Sequence, residues 1–429
     1  MAAPFGCRLS MNCRTLLARL RPGPWLNRTV LGIGLASLFS DWSHEIATAV
    51  LPAFLATFGA AALWLGIIEG VADGLSSAAK LASGYYTDRF RRRKPIAVAG
   101  YLVTALGTAS FGLASAAWHL LVARSLAWLG RGVRTPVRKA LLAGAVGREA
   151  YGRAFGFERM MDTLGAIVGP ATALGLLAVC AHDYAKLFAW TLLPGLMAAA
   201  LMALVVREKE RQPVPHLSFG ASLRALPAPL RKYLVAVGLF GLGDFAHTLL
   251  ILLATQQLTP ILGATQAASL AVGLYVLHNC LYAGSSFLAG WAADRWDKRR
   301  LLSAGYGLAL VMALLFLSLP AGVGLFVLVF VLGGVYVGIE ETLEDTLCAE
   351  LAGEAQHGMA FGTLATVNGL GDFLSSIVLG GLLTVGGITL AFGYSALLFG
   401  AGAFLVLQLP RPGDRRPPAG PGRSAGPGA

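Results

Sequence analysis

The sequence predicts an all-α membrane protein with twelve transmembrane helices, arranged as two parallel repeats of six. Three observations predict this fold class: an apolar composition, twelve long apolar runs and an internal repeat. Of the 429 residues, 56% are hydrophobic and only 13% are charged, and the mean hydropathy is +0.67. Soluble domains are nearer half apolar and a quarter charged. The surplus apolar surface therefore has to face lipid, which excludes an ordinary soluble enzyme.

The apolar runs give the number of crossings. A helix that spans a bilayer needs about 20 apolar residues, which leaves room for roughly a dozen crossings in a chain of this length. Reading for such runs predicts spans at 29–56, 62–85, 95–116, 118–146, 153–180, 184–206, 233–257, 266–292, 299–319, 322–348, 358–384 and 387–409.

The connections between these spans differ in charge. Basic residues concentrate in alternate connections, at 19–28, 89–94, 148–153, 207–232, 295–300 and 411–423, whereas the opposite side has little beyond Lys186. By the positive-inside rule, both termini are expected in the cytoplasm, in a multi-pass protein of the inner membrane. The net charge of +12 therefore reflects topology and not nucleic-acid binding.

The same pattern divides the chain into five parts. We predict a cytoplasmic N-terminal tail over 1–28, a six-helix bundle over 29–206, a cytoplasmic linker over 207–232, a second six-helix bundle over 233–409 and a disordered C-terminal tail over 410–429. Either Met1 or Met11 could be the start of translation.

An internal repeat relates the two bundles. Gly84 to Arg89 recurs as Gly290 to Arg295, with Asp88 repeated 206 residues later as Asp294. Gly152 to Gly156 returns at the same offset as Gly358 to Gly362, and Asp41-Trp-Ser-His44 is echoed by Asp244-Phe-Ala-His247. Parallel six-helix repeats are typical of transporters in which two bundles rock about a site at mid-membrane.

The repeated loops carry a resemblance to a known family. The pattern Gly84-x-x-x-Asp88-Arg89-x-x-Arg92-Arg93-Lys94 resembles the loop motif between helices 2 and 3 of the major facilitator superfamily, and Gly290 to Arg300 resembles its second copy. Arg91 and Asp297 stand where the family usually has glycine. The resemblance extends from the Asp41 region to about residue 405. It implies the major facilitator fold and a monomeric carrier.

Two further motifs support the resemblance. Arg124 with Gly130-Arg131-Gly132 is similar to the helix 4 motif, which carries a membrane-embedded arginine, and Gly165-x-x-x-Gly169-Pro170-x-x-x-x-Gly175 resembles the helix 5 motif of the exporters. We interpret Gly165, Gly169, Pro170 and Gly175 as a surface for close packing and bending. Residues 340–345 and 366–372 resemble a bacterial subgroup of uncharacterised members, which names no substrate.

Charged residues inside the spans are candidates for function. Such residues cost about 2.5–3.5 kcal/mol at a helix centre on insertion scales, and they normally face a cavity or a partner. We predict that Asp41, with His44 and Glu45, carries a coupling proton or binds a cationic part of the substrate; fixed hydrogen bonds between helices are the alternative. The full candidate set for proton coupling and substrate is Asp41, His44, Glu45, Glu69, Asp73, Arg124, Asp244 and His247.

A cytoplasmic gate is predicted from charges that the repeat superimposes. At the offset of 206, Arg134 falls on Glu340, Arg138 on Glu344 and Lys139 on Asp345. We expect Arg134 and Arg138 to pair with Glu340, Glu341 or Glu344 when the cytoplasmic side is shut. The alternative is that each cluster is neutralised within its own half, for example Arg131 or Arg134 by Glu158 or Asp162. The predicted gate comprises Asp88, Arg89, Arg92, Arg131, Arg134, Arg138, Glu158, Asp162, Asp294, Arg295, Glu340, Glu341 and Glu344.

Motifs of other chemistries are missing from the sequence. It contains no Gly-rich phosphate loop ending in Lys-Ser/Thr, no Gly-x-Ser-x-Gly nucleophile motif and no Cys/His metal spacing. We therefore expect no catalytic residue, no metal and no cofactor, and hence no enzyme.

The leading hypothesis is a proton-coupled secondary active transporter, an antiporter that works by alternating access and exports small organic molecules. One alternative is a proton symporter that imports an organic acid, held by Arg124 and Arg131, or another metabolite. The other is a non-transporting membrane receptor or scaffold. The sequence leaves open the substrate, the direction of transport, the choice between protons and sodium, and the oligomeric state.

Overall fold

The computed structural model of the protein describes residues 25–59, 62–181, 183–210, 218–245 and 247–410, and the regular structure in these ranges is helical. The predicted tails lie outside the described residues, apart from 25–28 and 410. So do His182 and the side chain of His247.

The first half of the chain forms six long helices: α1 Arg28–Ala56, α2 Ala62–Thr87, α3 Lys94–Ala109, α4 Ala117–Ala145, α5 Tyr151–Val179 and α6 Tyr184–Leu204. Polar side chains cap two of them. Asn27 accepts the N–H groups of Thr29 and Val30 at the start of α1, and Asp183 accepts that of Lys186 at the start of α6. A helix of 29 residues such as α1 rises about 44 Å, which exceeds the roughly 30 Å of a bilayer core.

A short helix, Phe219–Arg224, precedes the second half. The second half comprises α7a Ala228–Gly241, α7b His247–Leu262, α8 Ala264–Ala293, α9 Lys298–Ser318, α10 Val323–Leu351 and a 51-residue helix, His357–Leu407. Gly387 divides this last helix, since its φ of +65° is a left-handed conformation that favours glycine. We call residues 357–386 α11 and residues 388–407 α12. The predicted fold class is confirmed.

The seventh span differs from the prediction of one continuous run. The chain leaves the helix after Gly241, and the Asp244 carboxylate accepts the N–H of Phe245 at 2.9 Å. A glycine pair, Gly241 and Gly243, favours such a break because glycine is a poor helix former, and the aspartate offers the freed backbone a local hydrogen bond.

Hydropathy alone finds fewer spans than the fold contains. Seven helices in the described part are long and apolar enough to cross a membrane by length and composition. Three that do not qualify, α1, α2 and α4, carry charged residues near their centres. These charged helices line the interior of the first half, so the weakest hydropathy signals mark the region of functional interest.

The two halves meet through α2 against α11 and α5 against α8. A Cβ added to Gly84 would lie 2.9 Å from the Cα of Gly362, and one added to Gly290 would lie 2.9 Å from the carbonyl carbon of Gly152. The repeat therefore places equivalent glycines at two equivalent contacts. Both contacts lie near the membrane face that carries the basic loops, and they allow the helices to approach closely there.

At the opposite face, the halves are apart. Gly66, Gly70 and Gly74 lie along the other end of α2, and a Cβ added to any of them would meet no heavy atom within 4 Å. On α11, Leu370 and Phe373 are more than half exposed. The space between the halves is therefore shut on the side of the basic loops and open on the other.

Candidate functional site

Asp41 lies buried near the middle of α1 and is held by two arginines of α4. Its carboxylate is 3.2 Å from Arg131 Nη2 and 3.9 Å from Arg134 Nη2. Gly165 of α5 allows α5 to approach closely at this level, since an added Cβ would lie 2.9 Å from the backbone nitrogen of Trp42. The predicted proton-coupling aspartate is thus an ion-pair partner in this state.

A second group, which we call the Trp128 cluster, comprises His44, Glu69, Asp73, Arg124 and Trp128. The His44 ring centre lies 4.2 Å from that of Trp128, and the Arg124 guanidinium lies 3.7 Å from the indole centre. Arg124 donates to both oxygens of Glu69, at 2.9 and 2.8 Å, and Trp128 Nε1 donates to Asp73 at 2.6 Å. The cluster joins α1, α2 and α4, and its central tryptophan was not predicted to be functional, although it follows Arg124 by one helical turn.

Glu45 is a predicted proton-coupling residue that is partly exposed, although Glu69, at 35%, and Asp73 are more exposed. Its side chain is 27% exposed, and its recorded ionic contact is with His44 Nε2 at 4.0 Å. No arginine lies within 4 Å of it among the described residues. Gly169 of α5 packs directly against it, because an added Cβ would lie 3.2 Å from the Glu45 Cα.

The residues of the predicted helix-packing motif differ in what they contact. Gly165 and Gly169 contact α1 at the level of Asp41 and Glu45, and Pro170 lies within α5. Gly175 faces open space, so its assignment to the packing surface is wrong.

The predicted pairing of Arg134 and Arg138 with the second half is wrong in this structure. Arg138 contacts Glu158 at 2.9 Å and Asp162 at 3.2 Å, both on α5 of its own half. Arg134 approaches Asp41 and lies over the Tyr101 ring at 4.1 Å. Neutralisation within the first half, the alternative, is observed, but Glu158 and Asp162 contact Arg138 and not the Arg131 or Arg134 given as the example.

Four other side chains join the halves, and we call them the ion-pair gate: Lys139, Arg159, Glu341 and Asp345. Lys139 Nζ lies 2.6 Å from Asp345 Oδ1, and both residues are buried. Arg159 of α5 lies 2.6 Å from Glu341 and 3.7 Å from Asp345 on α10. Tyr282 donates to Glu341. Arg159 was missed in the sequence, where its signal was an arginine within a predicted span, between the acidic residues Glu158 and Asp162.

The two repeated loops close the same face by capping. Asp88 accepts the N–H groups of Gly358 and Met359, at 3.0 and 2.8 Å, in the first turn of α11. Asp294 accepts the N–H of Gly152 at 2.8 Å, in the first turn of α5, and pairs with Arg153 at 2.6 Å. A carboxylate at a helix N-terminus satisfies orphan N–H groups and interacts favourably with the helix dipole.

Three other predicted gate residues contact groups of the first half, the linker or their own helix. Arg89 lies over Tyr85, Arg92 pairs with Glu210 of the linker at 2.7 Å, and Arg295 lies over Trp291 at 3.8 Å. Asp297, which replaces the usual glycine, caps α9. The Arg299 side chain and its N–H hold the pKa of Asp297 below its usual range.

Carboxylates dominate the facing wall of the second half. Asp244 accepts the Tyr336 hydroxyl at 2.8 Å. Glu344 accepts the hydroxyl of Tyr306 at 2.5 Å and the amide of Asn368 at 2.7 Å. Glu340 makes no ion pair within 4 Å among the described residues, so its predicted salt bridge to Arg134 is not formed.

Between the halves lies a cavity of about 190 Å³. Its cations all come from the first half: Lys80, Arg131, Arg134, Arg138, Lys139 and Arg159. Its carboxylates come from α10 and α11 of the second half, apart from Asp162: Glu341, Glu344, Asp345 and Asp372. The cavity therefore has a basic wall and an acidic wall.

A membrane protein of two helical halves, with a charged central cavity shut at one face and open at the other, has the architecture of a carrier. The chain belongs to the Major Facilitator Superfamily, whose family profile matches residues 33–257 and 233–427. It is accordingly a multi-pass membrane transporter of small molecules and not an enzyme.

Individual proteins are similar to it over most of their length. An uncharacterized MFS-type transporter of Methanocaldococcus jannaschii is 26% identical over 355 residues, covering 83% of this chain and 88% of that protein. The multidrug resistance protein MdtH of Salmonella newport is 28% identical over 317 residues, covering 72% and 75%. Among solved structures, FucP in the outward conformation, the E. coli fucose:proton symporter, superimposes with a TM-score of 0.71 at 17% identity, covering 90% of this chain and 99% of FucP.

Proposed function

We propose that the protein is a proton-coupled transporter that works by alternating access and exports small organic molecules. The observation that carries the coupling is the position of Glu45. It lies in the interior of the membrane protein, its side chain is 27% exposed, and it has a histidine but no arginine within 4 Å among the described residues. A carboxyl group in this setting can take up a proton from the open space between the halves and release it when that space opens to the other side.

Asp41 has a different part in this proposal. Because Arg131 and Arg134 hold its carboxylate, protonation of Asp41 would first require breaking an ion pair. Asp41 therefore positions the α4 arginines, and Glu45 exchanges the proton. Glu45 and Asp41 lie one helical turn apart on α1, so a change at one is communicated to the other through a single rigid element.

The proposed orientation places the basic loops and both termini in the cytoplasm, with the protein as a monomer in the inner membrane. The present arrangement would then be closed to the cytoplasm and open to the outside. Export is supported by the similarity to a multidrug resistance protein and by the resemblance of the α5 glycine motif to that of exporters.

The importing alternative is less well supported. It assigned Arg124 and Arg131 to an anionic substrate, but Arg124 is already occupied by both oxygens of Glu69 and by the ring of Trp128. Of these two arginines, Arg131 is the one whose side chain remains partly accessible to a ligand, at 28% exposure.

The test is substrate-evoked proton flux in proteoliposomes that contain a pH dye. We expect flux in the unchanged protein, its loss in Glu45→Gln, and normal flux in Asp183→Asn, a surface carboxylate whose replacement retains the helix cap. Normal flux in Glu45→Gln would refute the assigned coupling residue. Substrate accumulation driven into vesicles together with protons would refute export, and binding without any gradient-dependent movement would indicate a receptor.

A further inference from the structure

Besides the paired charges of the ion-pair gate, the central cavity is lined by two opposite charges that do not meet. Lys80 on α2 and Asp372 on α11 both line the cavity, yet neither lies within 4 Å of an opposite charge among the described residues. Asp372 is exposed to the cavity, and Lys80 is partly buried. An ion or a polar molecule between them would therefore complete contacts that the protein leaves open.

The basic wall also contains donors without acceptors. Arg134 is 1% exposed, and its Nε and Nη1 atoms have no hydrogen-bond partner in the described part of the chain. Arg131 Nη1 likewise has no partner among those residues. Buried donors of this kind cost free energy unless an acceptor reaches them, so an anionic group in the cavity would be stabilised by several arginine N–H groups.

We infer that the transported substrate carries both an anionic and a cationic group, with the anion bound between Lys80 and Arg131 and the cation bound by Asp372. This inference rests on the proposed transport function and assigns its substrate class. A purely anionic substrate would leave Asp372 unpaired beside it, and a purely cationic one would leave Lys80 unpaired. A dipolar molecule is complementary to both walls at once.

Size and polarity of the cavity point to the same class. At about 190 Å³ it is smaller than the roughly 300–1,000 Å³ of pockets for drug-sized ligands. Among its described lining residues, Ala365 and Gly369 alone lack a polar side chain. Apolar drugs are bound by predominantly hydrophobic pockets, so this cavity fits a small dipolar molecule of amino-acid or betaine size better.

Equilibrium binding to the purified full-length protein tests this inference without a proton gradient. The probes are three classes: the common amino acids and glycine betaine with both charges, propionate with an anion alone, and propylamine with a cation alone. Alanine is the member of the first class that matches propionate and propylamine in size. The variants Lys80→Gln and Asp372→Asn each remove one wall's charge. Lys186→Gln and Asp183→Asn are matched controls in an exposed ion pair at the start of α6.

We expect at least one dipolar probe to bind and the singly charged probes to bind at least tenfold more weakly. Lys80→Gln and Asp372→Asn should each weaken dipolar binding at least tenfold, and the loop controls should leave it unchanged. In Asp372→Asn, propionate should approach the affinity of the dipolar probe.

Binding confined to uncharged or singly charged compounds, no binding by any dipolar probe, or unchanged affinity in both cavity variants would overturn the inference. The proposed function fails separately. Proton flux evoked by apolar compounds alone would support proton coupling and refute the dipolar substrate class. Binding of a dipolar probe without proton flux would support the substrate class and refute proton coupling.

Discussion

Replacing Asp345 by asparagine should open the face of the protein that carries the basic loops. The Lys139–Asp345 pair joins α4 of the first half to α10 of the second at 2.6 Å, and these helices have to separate when that face opens. The pair therefore stabilises the closed arrangement and is absent from the open one. Asp345→Asn keeps the shape of the side chain and removes the charge.

The magnitude follows from burial. Both partners are less than 10% exposed, so screening by water is weak, and removing one partner of a buried ion pair costs about 3–5 kcal/mol. Arg159, 3.7 Å from Asp345, retains Glu341 and limits the damage to the lower end of that range. At 1.36 kcal/mol per factor of ten, about 3 kcal/mol raises the ratio of open to closed molecules roughly 100-fold.

Cys348 provides the assay. It lies three residues beyond Asp345 on α10 and is fully buried. In a protein whose other cysteines are replaced by serine, at positions 7, 13, 180 and 280, it is the single thiol. Its rate of alkylation by a maleimide then reports how often the gate opens, and Asp345→Asn should raise that rate by at least tenfold.

Glu350→Gln is the matched control. Glu350 lies on the same helix near the same end, but it pairs with Lys298 of its own half at 3.2 Å. The Glu350→Gln variant should be alkylated within about twofold of the rate measured for the protein that retains Cys348 alone. Equal alkylation rates in Asp345→Asn and Glu350→Gln would refute the gate. The double variant Lys139→Asp with Asp345→Lys exchanges the two charges and should be alkylated more slowly than Asp345→Asn. An equal or faster rate in the double variant would also refute the gate.

Three further variants test the rest of the site. Gly169→Leu should abolish coupled transport because the leucine side chain would displace Glu45. Gly175 faces open space, so Gly175→Leu should transport normally. Equal effects of the two substitutions would contradict this packing. Asp88→Ala should cost about 3–5 kcal/mol and lower the unfolding temperature, since two N–H groups lose their acceptor and the buried Arg93 loses its ion-pair partner; an unchanged unfolding temperature would count against both contacts. Trp128→Phe, which keeps a ring but loses the N–H, should impair transport less than Trp128→Leu does, and the reverse order would argue against stacking.

Much of the fold could be predicted because its signals are local. Apolar runs, basic loops and turn glycines are read within a few residues, and the twelve helices follow from them. The break at Gly241 also had local signals, in two glycines and an aspartate. A long hydropathy window averages over such a break and reports one span.

The partners in the site could not be predicted in the same way. The offset of 206 identifies equivalent residues, but only the fold shows which of them lie across the interface. Of the three superimposed pairs, Lys139 and Asp345 meet, while Arg138 turns to Glu158 on its own side. The helix face decides this outcome, since consecutive residues point about 100° apart.

The charge asymmetry links the gate to the proposed substrate. At the shut face, cations of the first half contact carboxylates of the second directly, as in Lys139–Asp345. Further from the shut face, Lys80 of the first half and Asp372 of the second have the same arrangement of charges but do not contact each other. A dipolar substrate bound to both would connect the halves there and favour closure of the open side. Gly74 faces this opening, and alkylation of Gly74→Cys, in the background without other thiols, should slow when a bound dipolar probe is present. Propionate should leave the rate unchanged, and equal protection by both compounds would mean that closure does not depend on bridging the two walls.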